Sequence, residues 1–204
     1  EALAPGRVDM GIGRAPGSDQ MASYALQSGP NSFPIEKYPQ QVYDVLRYLS
    51  VTFPDDHPFT KLRAMPDSPN WAMPWLLSSS MGSAGIAARL GLPLSFAHFI
   101  SQEGGPECVK WYRDNFEPSA WFDEPRVNIG ISAVTAETEE RAHDLASSRH
   151  VMRLMRNKGQ ELQGIPSLDE IKSMNLSGGD MEFVEQQRLK SVEDKDMTML
   201  ATGI

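Results

Sequence analysis

Trp75-Leu-Leu-Ser-Ser-Ser-Met-Gly-Ser-Ala-Gly-Ile-Ala-Ala-Arg-Leu-Gly-Leu-Pro93 is the stretch from which the fold is read. Residues 75–77 are an apolar run of strand character and residues 78–82 a polar loop. Residues 83–90 form a helix with Ala84, Ala87 and Ala88 on one side, and Gly91 supplies its stop. After Pro93 a second strand begins over 94–96. Two strands joined through a short helix are parallel neighbours, because a parallel pair needs a crossover and a helix is the usual one.

Working outward, residues 8–12 read as a strand closed by Gly13, Pro16 and Gly17. Asp19 is placed to cap a short helix to about Leu26, which the Gly29-Pro-Asn-Ser32 cluster ends. Val42, Val45, Leu46 and Leu49 share one helical stripe, so 38–51 is expected to be an amphipathic helix. Residues 53–74 carry five prolines and read as a long irregular excursion. Further on, the pattern predicts a helix over 106–116 with Val109, Tyr112 and Phe116 on one face, and a strand over 127–134. A helix from Glu137 to about Met155 follows, with Ala142, Leu145 and Ala146 as its buried edge. Ser167-x-x-Glu170 is a capping box, Asp180 is placed to cap a helix reaching Leu189, and 197–201 reads as a final strand.

Alternating strands and helices make this an α/β chain with a mostly parallel sheet, closed or doubly wound. It offers about four or five strands, whereas a closed barrel takes eight and about 250 residues. The whole of 1–204 is read as a single partial domain. Because the sequence opens on Glu1 and ends on Ala-Thr-Gly-Ile, both ends are expected to be cuts.

The composition, 40% hydrophobic and 23% charged over 204 residues, is that of an ordinary globular domain. A net charge of −8 leaves no broad basic field, which argues against nucleic acid as a partner. Cys108 is the only cysteine, so no intrachain disulfide forms; a buried thiol in a reducing cytoplasm is expected. No run approaches the roughly 18–20 apolar residues needed to span a bilayer. A protein neither exported nor membrane-spanning is the expectation.

The chemistry gathers where strands end. Ser79, Ser80 and Ser83 stand between a strand and a helix N-terminus, where unpaired N–H groups and the helix dipole favour a phosphate. The same spacing equally suits Ser80 or Ser83 as a plain helix cap. Gly13-Arg14 closes the preceding strand, and an arginine there can present its planar fork to phosphate oxygens. His57 reads as a loop-ordering residue, His143 and His150 as solvated helix residues, and no spacing suggests a metal site.

Leu3-Ala-Pro-Gly-Arg-Val-Asp-Met-Gly-Ile-Gly-Arg-Ala-Pro-Gly-Ser-Asp-Gln20 resembles the fourth-strand signature of the bacterial-luciferase-like flavin monooxygenases. The 75–93 run resembles their fifth strand and phosphate loop. The likeness continues through Phe53-Pro-Asp-Asp-His-Pro-Phe59, Leu94-Ser-Phe-Ala-His-Phe99 and Val127-Asn-Ile-Gly-Ile-Ser-Ala-Val134, covering 3–150. Residues 156–204 are assigned only as an insertion or barrel end.

The resemblance implies a (β/α)₈ barrel of TIM type, incomplete in this chain, whose early strands, with a histidine-containing segment near the reacting flavin edge, would precede Glu1. It implies reduced FMN and O₂, with a small aldehyde-like substrate oxygenated through a flavin C4a-hydroperoxide. It also implies a flavin reductase as FMN supplier and a possible homodimer. Gly13, Arg14, Ser79, Ser80 and Ser83 would hold the phosphate, and His98 would line the isoalloxazine ring or else satisfy a hydrogen bond at a strand end. No catalytic residue is assigned. Two alternatives stay open: an inactive flavin-binding relative, and a deazaflavin-dependent oxidoreductase of the same superfamily.

Overall fold

The computed structural model describes residues 1–14, 20–27, 33–53, 55–66, 68–100, 104–160 and 162–193. The chain divides into two compact units, Glu1–Gly130 and Ile131–Ile204. The capping by Asp19, the 29–32 stop and the strand over 197–201 lie outside the described residues.

In the first unit β1 (Asp9–Ile12) precedes α1 (Gln20–Gln27) and α2 (Tyr38–Ser50). Then come β2 (Met73–Ser78), α3 (Met81–Leu90), β3 (Leu94–Ala97), α4 (Gly105–Asp114) and β4 (Val127–Gly130). Every pairing is parallel, in the order β1-β2-β3-β4. A doubly wound sheet reverses its order at a switch point, whereas sequential addition is how a (β/α) barrel grows. The fold is therefore α/β of the barrel type.

Ile12, Leu76, Leu94 and Val127 form one row across the sheet. Leu76, Leu94 and Phe96 pack in one core with Val42 and Leu46 of α2, Ala84, Ala87 and Ala88 of α3, and Cys108 and Tyr112 of α4. Alanines let α3 approach the strands closely, and Cys108 is buried as expected. The Tyr112 hydroxyl donates to Leu92 O at 2.8 Å and accepts the Arg126 N–H at 3.3 Å, tying together the segments that open β3 and β4. Burial pushes its pKa up to about 12, so it remains a donor at neutral pH.

Several boundaries differ from the expectation. β2 begins at Met73, two residues early, and includes Pro74. The prolyl nitrogen cannot donate, but β2 pairs with β3 only from Leu76 onward, so no donor is required at 74. The 127–134 strand stops at Gly130, the partner of Ala97, because β3 ends there. α3 begins at Met81 instead of Ser83. In α2, Val42 and Leu46 are buried but Val45 is exposed, so the apolar stripe is narrower than its spacing suggests.

The second unit is helical among the described residues: α5 (Glu139–Asn157), α6 (Leu168–Ser173) and α7 (Gly178–Glu193). Thr138 caps α5 by accepting Arg141 N–H, and the expected Ser167–Glu170 capping box opens α6. Val151, Leu154 and Met155 form the core with Ile171, Phe183 and Val184 against them. Leu145 is exposed rather than part of the buried edge, and His150 is buried rather than solvated. Burial lowers the His150 pKa, and the charges of Arg149, Arg153 and His143 add to the effect.

Asp180 does not cap α7 directly. Ser177 precedes the helix, its hydroxyl accepts Asp180 N–H at 3.3 Å, and the Asp180 carboxylate accepts Ser177 N–H at 3.0 Å. Lys158 adds an ion pair at 2.5 Å. The Lys158 hydrogen bond, then those from Ser177, lower the Asp180 pKa from 3.8 to about 2. A depressed carboxylate stabilises the fold above its unfolded pKa and loses that contribution on acidification. Thermal midpoints of wild type and Asp180→Asn are therefore expected to converge as pH falls from 3.8 toward about 2, and to stay apart above that window.

Candidate functional site

Because β1, β2 and β3 are parallel neighbours, the residues that follow them emerge on one edge of the sheet. Gly13 and Arg14 follow β1, Ser79 and Ser80 follow β2, and His98 follows β3. This is the C-terminal edge, where α/β sheets and barrels keep their ligand sites.

Ser80 occupies the N-cap of α3 in extended conformation, yet its side chain makes no cap hydrogen bond. The first intrahelical bond is Ala84 N–H to Ser80 O, so the amides of Met81, Gly82 and Ser83 precede the helical ladder and receive no cap from Ser80. The helix-cap reading of Ser80 is thereby set aside. Ser83 is buried in the first turn, and Ser79 is half-buried in the turn itself.

Sequence reasoning passed over two residues here. Ser78, buried at the end of β2, donates its hydroxyl to Ser80 O at 2.8 Å and accepts Ser80 N–H at 3.2 Å. It shapes the strand-to-helix turn; the only sequence signal was its place in a serine triplet on the parity of Leu76. Ser78→Ala is expected to lower unfolding free energy by about 1–2 kcal/mol, read by urea denaturation. Tyr38, at the start of α2, donates its hydroxyl to Ile12 O at 3.2 Å and so secures the strand end from which Arg14 leaves. Burial raises the Tyr38 pKa to about 12, partly opposed by the positive charge of Arg14. Nothing local in the sequence announces a contact between residues so far apart.

Arg14 is exposed and, among the described residues, makes no ion pair. His98 is half-buried, with its N–H bonded to Phe96 O at 3.1 Å. His57 orders its loop as expected: Nδ1 accepts Phe59 N–H at 3.2 Å, the ring lies 4.5 Å from that of Phe53, and Nε2 stands 3.6 Å from Asp44 of α2. No group of three or more His, Cys, Asp or Glu among the described residues is placed to hold a metal ion. No described helix is long and apolar enough to cross a membrane.

No family model matches the chain. Among known proteins, it is 36% identical over 192 residues to YwcH of Bacillus subtilis (strain 168), covering 94% of this chain and 57% of that protein. It is 32% identical over 169 residues to a luciferase-like monooxygenase of Escherichia coli (strain K12), covering 83% of this chain and 49% of that protein. The chain belongs to the luciferase-like monooxygenase family. The crystal structure of apo-MsnO8 superposes with a TM-score of 0.71 at 26% identity, over 100% of this chain and 65% of that one. The chain thus spans about half the length of these relatives.

Proposed function

We propose that this chain is part of a flavin-dependent monooxygenase and holds the phosphate of FMN at the C-terminal edge of β1–β3. The observation that carries this is the turn from β2 into α3. There a hydroxyl at the N-cap is left unused by the helix, first-turn amides receive no cap from it, and an arginine that makes no ion pair among the described residues stands on the neighbouring strand end. That donor set suits a phosphate monoester dianion: Arg14 supplies charge and a planar fork, while Ser79, Ser80, Ser83 and the α3 amides supply short hydrogen bonds. Gly13 leaves the approach to Arg14 free of a side chain.

When bound and reduced, FMN supplies the activation of dioxygen for oxygenating a small organic substrate. The chain's own part is to anchor the phosphate, to set the ring's position through that anchor, and to place His98 beside it. Reduced flavin would come from a separate reductase.

The direct test is to titrate the chain with FMN, riboflavin and a deazaflavin mononucleotide, following absorbance and fluorescence. Saturable binding of FMN, tighter than that of riboflavin, is expected. Absence of FMN binding, or equal affinity for the two, would remove the phosphate site. A clear preference for the deazaflavin would replace oxygenation by hydride transfer.

A further inference from the structure

On the opposite edge of the sheet lies a cavity of about 460 Å³ in the first unit. It sits where α2 and α3 end and where the 117–121 segment leads toward β4, away from the proposed phosphate site. Arg47 and Arg89 line it, together with Glu117, Ser119 and the rings of Tyr43 and Trp121, which pack against each other at a tilt of 55° with centroids 5.6 Å apart.

Arginines in the last turns of helices ordinarily serve the helix ends. Here several of those carbonyls already have partners. In α2, Ser50 Oγ donates to Leu46 O at 2.8 Å and Thr52 N–H to Arg47 O at 3.2 Å. In α3, Leu92 N–H donates to Ala87 O and both Gly91 and Glu117 N–H to Ala88 O. Neither guanidinium is ion-paired among the described residues; that of Arg47 lies 5.3 Å over the Tyr43 ring.

The walls are fixed in advance. Ser119 Oγ donates to Gly91 O at 2.9 Å and accepts the N–H groups of Trp121 and Phe122, while Trp121 Nε1 donates to Ser50 Oγ at 3.3 Å. A preformed pocket with aromatic walls and two arginines that make no ion pair among the described residues selects an acid with a planar body. Glu117 on the same lining opposes a second negative charge, which favours a monoanion over a phosphate.

We propose that this cavity is a second binding site, for a singly charged planar organic acid, and that it is independent of the flavin. The probe is sodium benzoate, titrated into ¹⁵N-labelled chain with the Trp121 indole N–H as reporter. Benzamide and inorganic phosphate serve as controls. Benzoate is expected to saturate and to shift that signal while neither control does. Arg47→Gln and Arg89→Gln should each weaken binding about tenfold without altering FMN affinity, and Glu117→Gln should admit phosphate. No saturable shift with benzoate, an equal response to benzamide, or binding that survives both arginine variants would overturn the proposal.

Discussion

Arg14→Ala is expected to lower affinity for FMN by about ten- to hundredfold and to leave affinity for riboflavin unchanged. A hydrogen bond to a charged partner contributes about 1.5–3 kcal/mol, and each 1.4 kcal/mol is tenfold in a dissociation constant. Arg14 is exposed, so screening by salt pulls the effect toward the lower figure as ionic strength rises. Arg14→Lys keeps the charge but not the two-pronged fork and is expected to recover only part of the loss. The comparison of flavins carries the test, because riboflavin lacks only the phosphate. An equal loss for both would mean that Arg14 supports the shape of the loop and does not meet the phosphate.

The largest loss of stability is expected from Gly91→Ala, at about 3–5 kcal/mol. Gly91 ends α3 at φ 61°, a left-handed conformation that costs a side-chain-bearing residue about 1–3 kcal/mol. A Cβ there would stand 2.4 Å from Glu117 O and 2.8 Å from Ser119 N, backbone atoms that cannot rotate aside. The same segment closes the wall of the arginine-lined cavity through Ser119, so benzoate binding should fall along with the denaturation midpoint. Gly159→Ala makes the control. Its φ of 72° is similar but no atom lies within 4 Å of the added carbon, so it should show the conformational cost alone.

How much of this was legible beforehand follows from the range of each interaction. The β2–α3–β3 unit, the α2 helix and the Ser167–Glu170 box are written in neighbouring residues, and reading those residues recovered them. Where a partner lies far along the chain, reading failed. β4 stops at Gly130 because β3 stops at Ala97, which no property of 131–134 reveals. Tyr38 reaches Ile12 O although the two stand 26 positions apart in the chain, and His150 is buried by packing that its own helical stripe does not predict. In the candidate site, the strand-end positions of Arg14, Ser79, Ser80 and His98 were legible once the strands were taken as parallel. Ser78 was not, since a hydroxyl bridging the amide and carbonyl of Ser80 looks in sequence like any serine in a polar loop.

Sequential strand order also bears on how the sheet assembles during synthesis. Among the described strands, β2, β3 and β4 each pair with the strand that precedes them in the chain. The steps are nevertheless unequal. Closing Ile12 onto Leu76 spans a segment roughly 3.5-fold longer than closing Leu76 onto Leu94, which costs about 1 kcal/mol more in chain entropy. The β2–α3–β3 unit is thus the natural seed, with β4 added as it emerges and β1 recruited back onto a surface already formed.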